Sequence, residues 1–289
     1  MSSTSNLRFL PSVCALAVAL TCTANADQRR FAYTYETTTI PQGKWEFENW
    51  VTFERSPRHD SDFDTFTFRH EIEYGITSRF QLSLYVADWD FAPRGEEEEH
   101  EESATVESEG TTEVEEKEDE GHDEKESKPH RSARYKQTAV ELVYNLTNPN
   151  TDFLGSALYL EGAIGDRVAS LEAKLLLQKN FGPLTIAYNF VTEFEWEGAH
   201  LDAEEIAIEQ TLGVSYQISP AFSVGGELVH EIEITDWNAS NAEKAYLYVG
   251  PNVTYRHKYF FATATALWRT TDNPGASDMQ ARLIFGVDF

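Results

Sequence analysis

The chain has 289 residues and a formal charge of −26, with aromatic residues at 13% and a mean hydropathy of −0.46. So acidic a balance makes nucleic acid a poor partner, because phosphate binding rests on Lys and Arg. Both cysteines, Cys14 and Cys22, fall within the first 26 residues, so a chain starting at Asp27 has no disulfide, thiolate metal site or Cys nucleophile.

Met1 to Arg8 is polar with one basic residue, Phe9 to Leu20 is apolar apart from Pro11 and Ser12, and Ala24-Asn25-Ala26 offers a small-x-small cleavage site. The pattern predicts a signal peptide over residues 1–26, with an apolar part too short to be kept as a spanning helix. Cys22 invites a lipoprotein reading, but Thr21 stands before it where a small Gly or Ala is usual. Phe31 to Thr38 alternates apolar and polar residues, a pattern open to a plug, an edge strand or a thirteenth segment. We place residues 27–42 in the periplasm.

No later stretch is apolar for long enough to be a transmembrane helix. Period-two alternation appears instead, the mark of strands between two different environments. Trp45, Phe47, Asn49, Val51 and Phe53 alternate with Glu46, Glu48, Trp50, Thr52 and Glu54. Phe66, Phe68, His70, Ile72 and Tyr74 alternate with Thr65, Thr67, Arg69, Glu71 and Glu73. Gly75 to Ser78 turns the chain into a strand with Phe80, Leu82, Leu84 and Val86 on its apolar face, Gly75 freeing the backbone for the turn. A fourth strand runs through Val140, Leu142 and Tyr144. Then follow Ala157 to Ile164, Val168 to Phe181, Leu184 to Trp196, Ile206 to Tyr216, Phe222 to Ile232, Ala245 to Tyr255, Tyr259 to Trp268 and Met279 to Phe289. Twelve strands, an even number, suit a membrane barrel, in which alternating faces average to mild polarity.

The connections alternate too. Gly75 to Ser78, Leu146 to Leu154, Gly182-Pro183, Ile218 to Ala221 and Arg256 to Lys258 are short. Arg55 to Ser61, Trp89 to Ala133, Glu197 to Ala203, Ile234 to Glu243 and Arg269 to Asp278 lie on the opposite side and include the long ones, with Gly165 to Arg167 a short exception. Short periplasmic turns and longer outer loops are the barrel pattern.

One insert, residues 94–134, breaks the alternation. Glu96 to Glu126 holds seventeen acids and two lysines, and no apolar periodicity survives, so we expect a disordered, solvated outer loop. His100, His122 and His130 are set among these acids. Imidazole with carboxylate suits weak binding of Zn²⁺, Ni²⁺, Co²⁺ or Cu²⁺, and an acidic tract alone holds Ca²⁺ and Mg²⁺ loosely.

The last strand, Gln280 to Phe289, puts Ala281, Leu283, Phe285, Val287 and Phe289 on one face and Gln280, Arg282, Gly286 and Asp288 on the other, with Ile284 the exception. It resembles the C-terminal strand of bacterial outer-membrane β-barrels. The resemblance implies a Gram-negative outer-membrane location, contact with lipid, and Phe289 as the assembly signal read by the barrel assembly machinery. Glu71-Ile-Glu-Tyr-Gly-Ile-Thr-Ser-Arg-Phe-Gln-Leu-Ser-Leu84 is similar to the recurrent hairpin of outer-membrane transporters of the MetA-pathway phenol-degradation type. That resemblance covers one hairpin, the final strand and the strand count, and implies passage of small, hydrophobic compounds.

If the apolar register faces lipid, the other lines a lumen. It contains Glu48, Glu71, Glu73, Glu141, Glu161, Glu193, Glu209, Glu227 and Glu231, against Arg69, Lys174 and Arg282. Such a lumen favours cations over anions; equally, these side chains can fill a narrow barrel by pairing. No Ser nucleophile elbow is present, and His70-Glu71 and His230-Glu231 are sequence neighbours that point to opposite sides of a strand. We expect no enzyme and no firm cofactor. The expectation is an outer-membrane channel for small solutes, related to cations or transition metals, or else a non-conducting barrel whose loop captures metal ions or partners.

Overall fold

A computed structural model describes residues 29–55, 64–95, 130–242, 245–272 and 276–289. The predicted signal peptide and most of the acidic insert, with His100 and His122, lie outside the described residues. The strands are β1 (Trp45–Arg55), β2 (Thr65–Gly75), β3 (Phe80–Gly95), β4 (His130–Tyr135), β5 (Gln137–Thr147), β6 (Gly155–Gly165), β7 (Val168–Phe181), β8 (Leu184–Glu197), β9 (Ala203–Ser219), β10 (Phe222–Thr235), β11 (Tyr246–Arg256), β12 (Phe260–Arg269) and β13 (Met279–Asp288). Each is antiparallel to its neighbours, and β13 pairs with β1, closing the sheet on itself. Both β4 and β5 pair with β3 and only Lys136 separates them, so the wall has twelve staves. Closure gives each of the twelve staves a partner on both sides. At the seam Trp45 and Phe289 exchange backbone hydrogen bonds of 3.2 and 3.0 Å.

The alternation is set by what each face meets. Leu82, Leu84, Val140, Leu158, Leu160, Leu175, Phe190, Val214, Val249, Val253, Leu283 and Phe285 are exposed on the outer wall. Glu48, Glu71, Glu141, Thr211, Ser215, Thr254 and Thr263 are buried inside. Aromatics gather at both rims. Trp45 with Tyr74, and Tyr255 with Phe222 and Phe260, mark the short-turn end; Trp89 with Tyr135, and Trp237 with Phe194 and Trp196, mark the other. Amphipathic rings at two levels match the two interfaces of a bilayer.

Several sequence expectations change. The insert is narrower than residues 94–134, because β3 and β4 continue as a hairpin with Gly95 opposite His130. A β-bulge sits in β3, where His70 pairs with Ala87 but Glu71 pairs with Tyr85. The extra residue reverses the phase. Asp88, which strict alternation places outside with Leu82 and Leu84, therefore points inward opposite Arg69. Gly75 lacks a left-handed φ. Its role is close approach, since an added Cβ would stand 2.4 Å from the carbonyl oxygens of Ile40 and Pro41. His70, in the outward register, shares a 2.8 Å hydrogen bond with Asn49 directly across the strand pair.

The largest correction concerns residues 29–42. They do not hang in the periplasm; they run through the lumen. Phe31, Ala32, Thr34, Thr37 and Ile40 are all buried. Ala32 packs with Trp50, Phe261 and Ile284, which explains why Ile284 breaks the polar face of β13. Tyr33 and Tyr35 reach three separate lumenal clusters, those of Trp50, Val143 and Val229. Gly213 leaves room for Phe31, whose ring would lie 2.6 Å from an added Cβ.

Candidate functional site in the lumen

An irregular segment inside a barrel must satisfy its backbone without a strand ladder. Here lumenal side chains do so one residue after another. The Glu227 carboxylate accepts the N–H groups of Ala32, Tyr33 and Thr34, each at 2.8 Å, and is itself steadied by the hydroxyl of Thr265 at 2.6 Å. Successive backbone N–H groups converging on one anion form a nest, and a charged acceptor strengthens each bond. Asn189 accepts from the Tyr35 N–H and donates to its carbonyl at 2.6 and 3.0 Å. Gln178 accepts from Thr37 N–H, and Gln81 from Ile40 N–H, both at 2.8 Å. Thr254 and Thr263 donate to the carbonyls of Arg30 and Arg29, and Asn145 donates to that of Thr37.

The basic side chains also serve this segment. Arg282 donates to the Ala32 carbonyl at 3.1 Å and lies 4.2 Å from the Tyr33 ring centre. Lys174 pairs with Glu172 at 2.8 Å and lies over Tyr35 at 4.2 Å and Tyr159 at 4.4 Å. Arg69 pairs with Asp88 at 2.8 Å and stacks on Tyr85 at 4.3 Å. Arg29 enters on the segment itself, 3.0 Å from Glu48 and between the rings of Tyr35 and Trp50.

The carboxylates are ordered by the register. Reading directly across the strands, Asp288 faces Glu46, Glu46 faces Glu73, Glu73 faces Ser83 and Ser83 faces Glu141. Glu141 then faces Glu161, Glu161 faces Glu172 and Glu172 faces Glu193. Seven such steps at about 4.8 Å each make a row of roughly 34 Å. In a barrel whose strands tilt by about 35–45°, a row perpendicular to them climbs roughly 20–24 Å along the axis, close to the membrane's apolar height. It starts beside the seam at the short-turn end and finishes towards the outer rim. Along it Ser83 and Tyr85 donate to Glu141, Tyr159 donates to Glu161, and Lys174 pairs with Glu172. Glu209 and Glu231 face each other on β9 and β10, beyond the row's end.

Sequence reasoning put the predicted acids in one register but could not align them into a row. It missed Asp88, Asn189, Gln178, Gln81 and Arg29. Asp88 carried a signal, an acid in an apolar phase; the others carried none that a single strand displays. For metals, the set among the described residues whose oxygens come together is Glu48, Glu71 and Glu73. It is lumenal and is drawn from β1 and β2 rather than from the acidic insert; His130 opens β4.

Residues 23–280 match the family of unknown function DUF6662. The chain belongs to that family. No curated protein matches the sequence. Among solved structures, the COG4313 outer membrane channel from Pseudomonas putida F1 is similar over 90% of this chain and 100% of its own, at 14% identity and a TM-score of 0.52. The NanC porin is similar over 85% and 98%, at 9% identity and 0.48, and the KdgM porin over 84% and 98%, at 10% and 0.45. At these identities the likeness concerns the fold. The family matched is DUF6662 rather than the phenol-degradation type that the Glu71–Leu84 hairpin resembles, and the hairpin supports the outer-membrane class alone. The closed barrel with its apolar outer wall and aromatic rims places this DUF6662 protein in the Gram-negative outer membrane.

Proposed function

We propose that the protein is an outer-membrane channel that passes small solutes, cations before anions, with residues 29–42 setting whether the lumen is open. The observation that carries this reading is the row of carboxylates from Asp288 to Glu193, which climbs the lumenal wall through most of the membrane. Aligned carboxylates in a confined aqueous path favour cations by their field. The likeness to the COG4313 channel agrees with a channel role, and the chemistry proposed is passage without catalysis. In the membrane its partners are lipid along the outer wall and, through the C-terminal strand, the barrel assembly machinery.

The refolded protein in a planar bilayer under a KCl gradient tests the proposal. The reversal potential is expected to show cation preference, and the Glu172→Gln/Glu193→Gln variant to reduce it. A wild-type barrel that stays sealed in every salt and at every potential refutes the channel reading.

A second reading is a non-conducting barrel, favoured by the hydrogen bonds that seat residues 29–42 inside the lumen. On that reading the outer loop is the working part, with His100, His122 and His130 gathering transition metals. Titrating Zn²⁺ or Ni²⁺ into the loop peptide is then expected to show binding that is lost when the three histidines become Ala. Binding no tighter than that of an all-Glu peptide removes the loop as a metal collector.

A further inference from the structure

Three carboxylates at the foot of the acidic row are not balanced by their neighbours. Glu48 stands directly opposite Glu71 in the β1–β2 register, and Glu73 follows two residues later on the same lumenal face. Oxygens of all three lie within 4.8 Å of one another. Like charges opposed across a sheet are destabilising. Arg29 offsets part of the repulsion, at 3.0 Å from Glu48 and 4.0 Å from Glu73. With the carboxylates ionised, the group of four retains two negative charges.

Glu71 points to what completes the group. Its side chain is fully buried, yet neither carboxylate oxygen has a hydrogen-bond partner among the described residues. Glu48, by contrast, accepts from the Trp50 indole at 2.7 Å and from Arg29. A buried carboxylate whose oxygens meet no donor is costly to keep, and a proton shared with a neighbouring carboxylate or a bound cation relieves it.

We infer that Glu48, Glu71 and Glu73 bind one hard divalent cation of the Ca²⁺ or Mn²⁺ kind, with Arg29 beside it as a fixed neighbour. The donors are all oxygen, which suits Ca²⁺, Mg²⁺ and Mn²⁺ rather than Zn²⁺ or Cu²⁺. Two ligand oxygens about 2.4 Å from a Ca²⁺ ion, on opposite sides of it, are about 4.8 Å apart, so this cluster is compact enough for a single ion. One dication cancels the two residual charges. A small adjoining cavity of about 60 Å³, lined by Arg29, Glu46, Glu48, Glu73 and Gln81 among others, has room for the waters such ions keep. The site stands whether or not the barrel conducts, because it depends only on β1, β2 and Arg29.

Mn²⁺ is the probe, since its EPR signal reports bound and free ion directly. Titrated into the full chain refolded in detergent, it is expected to fill one tight site above the weak background of the acidic insert. Glu71→Gln and Glu48→Gln are each expected to weaken that site at least tenfold, and Glu197→Gln, at the outer rim, to leave it unchanged. Bound Mn²⁺ is also expected to quench the tryptophan emission contributed by Trp50, a loss that disappears in Trp50→Phe. Heat-modifiable mobility on gels confirms that each barrel is folded. Superimposable Mn²⁺ isotherms for folded wild type and Glu71→Gln overturn the inference, as does a wild type with no tight site and no quenching.

Discussion

Replacing Glu227 with Ala tests the seating of residues 29–42 most directly. The substitution removes the acceptor of three backbone N–H groups, those of Ala32, Tyr33 and Thr34, all at 2.8 Å and two of them on fully buried residues. A hydrogen bond to a charged group contributes about 1.5–3 kcal/mol, and stranding a buried donor costs a similar amount. Water refilling the space returns part of this, so the net loss is taken as a single strong bond, about 2–3 kcal/mol. That shifts the ratio of seated to released segment roughly 30- to 150-fold. The assay is the reaction of a thiol at position 34 with a charged thiol reagent. Thr34 is buried and its hydroxyl has no partner among the described residues, so Thr34→Cys perturbs little, and a chain begun at Asp27 for refolding carries no other thiol. Labelling follows the released fraction and is expected to quicken by the same factor in the Glu227→Ala background. Glu227→Gln should fall between the two, because its amide keeps one acceptor and turns donors towards donors. Equal labelling rates in folded wild-type and Glu227→Ala barrels refute the reasoning.

Other expectations follow from particular contacts. Gly213→Val drives a side chain into the Phe31 ring, so it should raise thiol labelling at position 34 without slowing refolding of the barrel; unchanged labelling would show that the ring simply moves aside. Asp88→Ala removes the carboxylate that accepts two bonds from Arg69, at 3.0 and 2.8 Å, and should lower resistance to urea by about 1–3 kcal/mol, with Asp88→Asn milder. Arg69 is partly exposed, which keeps the figure below that of a sealed pair. Deleting Phe289 cuts the backbone pair with Trp45 at the seam and should reduce the amount of barrel in the outer membrane while leaving synthesis intact; normal insertion would end the reading of Phe289 as an assembly signal.

The wall was legible in the sequence because lipid on one side and polar surroundings on the other impose a strict period of two. Val140, Leu142 and Tyr144 against Glu141 needed no tertiary information. The interior was much less legible. Residues 29–42 are seated by side chains drawn from strands far apart in sequence, such as Gln81, Asn145, Gln178, Asn189 and Glu227, and each looks like an ordinary inward polar residue within its own strand. Alternation over Phe31 to Thr38 therefore leaves a plug, an edge strand and a thirteenth segment equally open, because nothing in it says that its partners are side chains. The acidic row was hidden for a related reason. Register between strands is set by turn geometry and by the bulge near Val86 and Ala87, not by the alternation within either strand. Once the bulge is placed, Asp88 stops being an anomaly and becomes the partner of Arg69.

The seating of the N-terminal segment also orders events in assembly. Its bonds reach β3, β5, β7, β8, β10, β11, β12 and β13, so no two or three staves alone can hold it. Although it is synthesised before every strand, its full set of bonds forms only once those eight staves stand together. Until then the lumen carries its carboxylates without Arg29. A fully seated segment is thus a report that the cylinder is complete, delivered by a part of the chain made before any stave.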